Sequence, residues 1–339
     1  MFKLTVFVIT IALAAVMALG QAPTLEIRTP DGPNLPADLF YGNVKVKPLR
    51  LRPGTNQLIT IDDSDFFVNQ HYVDFLNRFP DTSGFNFWVG SFAPCGTNQA
   101  CINARRIDVS NAFFFELEFQ QTGAYVYRLW RNSYGNNQPS PNPHPDPNHP
   151  GEDLKMPSYA AFKADRQLVV GGSNLAQKQL DLAKAFVIRT EFVAKYPAGL
   201  ATADQFVDAV LATVQNDLGV NLSSEKPGLV ALYNQGSNAT DSRANVIYRL
   251  ADDNVSTNPI NNRPLIDAEY NRAFVFTEYS GYLRRNSDVA GFLFWLGQVN
   301  GGPLRDISKQ HAMVCSFITS QEYQLRFGST ATHTNAECQ

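Results

Sequence analysis

The sequence lacks the short signatures by which common enzyme classes are read. It has no Gly-x-Ser-x-Gly elbow, no His-Glu-x-x-His pair and no phosphate loop. Charge is scarce: only 17% of residues are charged, and the net charge of −3 argues against a sequence-independent grip on nucleic acid. After the N-terminal segment, no stretch is apolar enough to span a membrane. No Cys stands directly after the apolar run of that segment, which argues against a lipoprotein. Cysteine is limited to 4 residues, and their spacing, with no His close by, disfavours zinc.

Apolar and aromatic residues are plentiful. Hydrophobic residues make up 44% of the chain, with 24 Phe and 13 Tyr. That composition is globular rather than disordered, and aromatic burial is expected to dominate the core. At 339 residues the chain can bury one large core or two ordinary ones.

The chain opens "MFKLTVFVITIALAAVMALGQAP". Lys3 gives a positive start, Leu4 to Met17 is an apolar run too short to span hydrocarbon comfortably, and Ala18 and Gly20 suit a cleavage site. Residues 1–20 therefore read as a cleaved signal peptide, with an uncleaved anchor as the alternative. The mature chain is then expected to be periplasmic, secreted or at the cell surface, with no transmembrane segment. The cysteines agree with export. Cys95 and Cys101 bracket the polar loop "GTNQA", and Cys315 and Cys338 remain for a second disulfide.

Residues 21–61 read as an extended or β arm. "NVKVKPLRLR" alternates apolar and basic residues, then slips phase at Pro48, as an edge strand would. Its basic residues, Lys45 to Arg52, read as a solvated face, with a patch for anionic polymers as the other reading. From Asp62 the period becomes helical. Phe67, Val68, Tyr72, Phe75 and Leu76 share a face, Ser64 or Asp65 can cap the start, and Pro80 ends the helix. Residues 136–158 form a Pro-rich loop or linker in which no helix or central strand can persist. His144 and His149 fall there without further ligands, so no metal site is expected.

One phrase is written twice. "LNRFPDTSGFNFW" begins at Leu76 and "LRRNSDVAGFLFW" at Leu283, so Leu, Arg, Asp, Gly, Phe, Phe and Trp recur 207 positions apart. A further echo joins Ala112, Phe113, Glu118 and Phe119 to Ala185, Phe186, Glu191 and Phe192, and a variant holds Phe317, Glu322 and Tyr323. The pattern predicts an all-α chain of helical repeat units packed side by side. The units cover residues 62–135, a degenerate middle copy at 159–260, and 261–339 with a tail tied by the second disulfide. Each would comprise an opening helix, a turn, a short aromatic helix and a closing helix. The last closing helix is expected to run to Gly328.

"YVDFLNRFPDTSGFNFW" and "YSGYLRRNSDVAGFLFW" resemble the bacterial family called domain of unknown function 4214. Its pattern is an opening aromatic helix, Leu-x-Arg, Pro-Asp, Gly, an aromatic-Trp pair and a Ser-x-Glu-Phe-like closing helix. Ser287 replaces the Pro in the last copy. The resemblance covers roughly residues 62–135 and 180–328. It implies a helical fold and an association with exported and cell-surface proteins, and offers no catalytic residues to carry over.

Each repeated residue has a structural reading beside a functional one. Asp81 and Asp288 read as helix caps, since "DTSG" and "DVAG" supply too few oxygens for calcium. Arg78 and Arg285 are expected to bond helix-end carbonyls or these Asp residues, or to bind a ligand carboxylate. Gly84 and Gly291 belong to the same turns. Trp88 and Trp295 are expected in the core, with sugar stacking as the alternative. His71 and Asp74 lie one turn apart, as a base and its orienter would, but no nucleophile is evident beside them, and the last copy has Glu278 and Gly281 there. The Asn-x-Ser/Thr sequences at Asn221, Asn238 and Asn254 carry little weight if the source is bacterial. The expectation is a non-enzymatic module, with no cofactor and no metal, that binds a protein or cell-envelope polymer. A carbohydrate-binding module and a hydrolase assembled from distant residues are the alternatives.

Overall fold

The computed structural model describes residues 25–28, 37–41, 44–52, 58–139, 153–254, 257–328 and 330–338. The signal-peptide reading, His144, His149 and most of the Pro-rich loop lie outside the described residues. Strands β1 (Leu25–Arg28), β2 (Ala37–Tyr41) and β3 (Val44–Leu51) form an antiparallel sheet in that order. Pro48 therefore sits on an edge strand, where a missing N–H is tolerated.

Among the described residues every regular element from Ser64 on is helical, and the protein is all-α in class. The helices are α1 (Ser64–His71), α2 (Thr82–Gly90), α3 (Gln99–Phe115), α4 (Leu117–Gln121) and α5 (Gly123–Tyr134). Then come α6 (Tyr159–Arg166), α7 (Leu175–Val187), α8 (Thr190–Lys195), α9 (Ala203–Leu218), α10 (Lys226–Asn234) and α11 (Ala239–Ala251). The last are α12 (Arg263–Glu278), α13 (Val289–Asn300), α14 (Ile307–Ile318) and α15 (Gln321–Gln324). Local sequence sets their ends. Thr202 and Gln205 form a capping box on α9, and Gly219 closes that helix at φ 74°, a conformation Gly adopts without strain.

The segments read as units from the sequence do not simply follow one another in space. Helix α5 is buried along its whole length and touches α4, α6, α9, α11 and α12. The first and last units also meet directly, α3 against α14. One contiguous core results, rich in buried Phe and Tyr. Each such ring contributes on the order of 2–3 kcal/mol through burial.

Several local expectations are corrected. The N-cap of α1 is Asp63, not Ser64 or Asp65, and its carboxylate accepts from the Thr60 N–H rather than from the helix. Helix α1 runs on into a π turn, Tyr72–Leu76, which ends at left-handed Asn77 (φ 56°). Helix α12 does the same through Tyr279–Leu283, ending at Arg284 (φ 53°). The closing helix of the last unit stops at Ile318 rather than Gly328, because the Ser320 hydroxyl caps a new helix by accepting from the Tyr323 N–H.

Candidate functional site

The repeated phrase builds the same corner twice. Asp81 accepts from the Gly84 N–H at 2.9 Å, and Asp288 accepts from the Gly291 N–H at 2.7 Å. Both corners need glycine, because a Cβ at Gly84 would collide with the Tyr72 hydroxyl and one at Gly291 with the Tyr279 hydroxyl. Hydrogen bonds from Gly84 and Ser83 hold the Asp81 carboxyl down at about 2.

The two arginines reach the expected carbonyls, Phe79 and Asn286, and the expected Asp residues, but each has a nearer acid as its main partner. Arg78 donates from Nε and Nη2 to the two oxygens of Glu118, both at 2.6 Å, while Asp81 stands off at 3.5 Å. Arg285 repeats this on Glu322 at 2.6 and 3.0 Å, with Asp288 at 3.6 Å. The charged planes lie over Tyr72 and Tyr279, at 5.0 and 5.4 Å from the ring centres. Opening and closing segments are thereby clamped by a paired fork, the stronger kind of ion pair. The repeated Glu was the sequence signal for this clamp, but its partner could not be read without the fold.

The tryptophans are not core residues. Trp88 and Trp295 are half-buried, leaning on Phe113 at 5.5 Å and Phe317 at 6.2 Å. On their outer sides stand Phe87, 68% exposed, and Phe294, 57% exposed. Of the two Phe in the "Phe-x-Phe-Trp" spelling, only the first, Phe85 or Phe292, joins the Trp on the inward side of the short helix. Periodicity alone could not separate an inward stripe from an outward one on a helix this short.

His71 and Asp74 diverge rather than pair. His71 Nδ1 meets the Phe67 carbonyl at 2.8 Å, and its Nε2 meets the Ser110 hydroxyl at 2.8 Å and the Tyr282 hydroxyl at 3.3 Å. So a hydroxyl does accompany His71, though the sequence showed none nearby. Burial pushes the His71 pKa down to about 4. Ser110 is fully buried and His71 almost so, which leaves no approach for a substrate. Asp74 turns the other way, accepting from Arg284 at 2.6 Å and Arg326 at 3.0 Å. Burial would raise its pKa, but these two guanidiniums outweigh that and lower it. Glu278, at the position in the last copy that corresponds to His71, is fully buried with neither carboxyl oxygen hydrogen-bonded, and burial raises its pKa well above the carboxylate range.

The disulfides join Cys95 to Cys101 and Cys315 to Cys338, with Cα separations of 5.4 and 5.7 Å. The second draws the tail over α3, where His333 bridges Asp62 at 2.7 Å and Glu337 at 2.8 Å. Arg52, at the end of the basic arm, pairs with Asp65 at 2.5 Å and Asp63 at 3.3 Å. Among the described residues no three His, Cys, Asp or Glu side chains gather to hold a metal, and no helix is long and apolar enough to cross a membrane. No protein-family model, no curated protein and no solved structure matches this chain.

Proposed function

We propose that this chain is an exported, non-enzymatic helical module that binds a protein or cell-surface polymer through the outer faces of α2 and α13. We further propose that the two corners are copies of one unit, of the kind called domain of unknown function 4214. The observation that carries the reading is the paired exposure of Phe87 and Phe294 beside half-buried Trp88 and Trp295. Packing accounts for the inward Phe85 and Phe292 but not for an aromatic ring left in water at both equivalent places. Two disulfides and the reading of residues 1–20 support export. The sealed His71–Ser110 pair counts against a hydrolase.

The test is co-sedimentation of the purified chain with envelope fragments of its source cell. A Phe87→Ser, Phe294→Ser double variant with unchanged circular dichroism should stay in the supernatant. Equal pelleting of variant and parent sinks the reading. Release of the parent by soluble envelope glycan favours the carbohydrate-binding reading, which the exposed rings also suit.

A further inference from the structure

The middle of the chain, well apart in sequence from both aromatic corners, holds an open groove of about 370 Å³ between the α7–α8 segment and α10–α11. Its walls include Val187, Ile188, Val193, Leu200 and Tyr233. Ile188 is 62% exposed and Val193 41%, so branched apolar side chains stand in water at its mouth. Arg243 also lines the groove, although it is only 8% exposed.

The guanidinium of Arg243 lies over the Phe206 ring, 5.2 Å from its centre. It donates to the carbonyls of Tyr196 at 2.7 Å, Pro197 at 2.9 Å and Leu200 at 3.4 Å. Its Nε is buried with no hydrogen-bond partner, and no carboxylate among the described residues lies within ion-pair distance. Arg106 and Arg131, buried as deeply, each meet a carboxylate, at 2.9 and 2.8 Å, whereas buried Arg128 and Arg166 bond backbone carbonyls as Arg243 does, and Arg243 is the one that lines this groove. The acid nearest in sequence, Asp241, is held by Lys184 at 2.8 Å. A buried cation with no ion-pair partner among the described residues, at the wall of an apolar groove, is complementary to a ligand with an apolar body and an anionic head.

We propose that this groove binds an aliphatic monocarboxylate, the chain lying along Val187, Ile188, Val193 and Leu200 and the carboxylate facing Arg243. The site is separate from the faces assigned above and does not rest on that reading.

Titration calorimetry of the full chain with hexanoate, octanoate and decanoate, all below micelle-forming concentration, tests this. Binding should be saturable at one site per chain and should tighten about threefold per added methylene. Decanol, with the same chain and no charge, should bind at least about tenfold more weakly than decanoate. Ile188→Glu, a change at an exposed position, should leave the melting temperature unchanged and abolish decanoate binding. Arg243→Gln should bring acid and alcohol to similar affinity, and if that variant does not fold, Ile188→Glu decides alone. Absence of saturation, equal affinity for decanoate and decanol in the parent chain, or unaltered binding by Ile188→Glu each overturns the proposal.

Discussion

Arg78 holds Glu118 through two hydrogen bonds of 2.6 Å, tying the turn after the first opening helix to the short helix that closes its unit. The Arg285–Glu322 clamp is the same contact in a wetter place, with side chains 38% and 47% exposed against 25% and 24%. Exposure weakens ion pairs, so the two should differ in worth. Arg78→Ala is expected to cost about 1–2 kcal/mol and Arg285→Ala less than about 1 kcal/mol. Urea denaturation of both variants checks this, and a larger loss at Arg285 would contradict it.

The aromatic corner yields a sharper contrast between neighbours. Trp88→Ala should destabilise by about 1–3 kcal/mol, below the range for a fully buried ring, because one side of the indole is already in water. Phe87→Ala should change stability by less than about 0.5 kcal/mol. If Phe87→Ala proves as costly as Trp88→Ala, the outward placement of Phe87 is wrong.

Much of this corner was legible beforehand. Asp81 before Gly84, and Asp288 before Gly291, spell a cap whatever the tertiary fold. Other features depend on residues far away in sequence. Whether Trp88 faced in or out depended on Phe113, and the partner of His71 was Ser110, on another helix. The π turns were illegible because nothing in Tyr72–Leu76 departs from an ordinary helical stripe. The stacking order was also hidden. One contact between the first and last units joins Asp74 to Arg284 and Arg326, and none of the three is among the residues that recur in the repeated phrase.

Glu278 should make the fold acid-favoured. Its carboxyl stays protonated when buried, whereas in the unfolded chain it ionises above about 4.5. Stability from this group is therefore lost as pH rises from about 4.5 towards its raised folded value. Glu278→Gln removes that loss and should raise the melting temperature at pH 8 relative to the parent, with little gain at pH 4. A lower melting temperature at pH 8 would show that the carboxylate has a partner there.

His71 acts in the opposite direction. Its folded pKa of about 4 lies below the usual 6.5, so the neutral ring's contribution is present above 6.5 and is lost as pH falls from there to about 4. The full span is worth up to about 3 kcal/mol. His71→Gln should flatten the acid limb of the stability profile. A fluorophosphonate reagent should leave Ser110 unlabelled in the native chain, since the hydroxyl is sealed. Stoichiometric labelling there would reopen the hydrolase reading.

The tail answers to both pH and reductant. Asp62 and Glu337 raise the His333 pKa, so its contribution is complete below about 6.5 and fades as pH rises through the raised value. Reduction of Cys315–Cys338 at pH 8.5 should release residues 330–338 to protease, while reduction at pH 6 should leave them protected for longer. Equal cleavage rates at both pH values would remove His333 from the latch.

The meeting of Asp74 with Arg284 and Arg326, 210 and 252 residues further along, also bears on the order of events in folding. A buried carboxylate cannot settle before its cations arrive, so the first unit stays incomplete while the last unit is still being made. Contacts of this sequence separation slow folding and keep apolar helices exposed in the meantime. The chain is therefore expected to stay loosely packed until nearly its last residues are available.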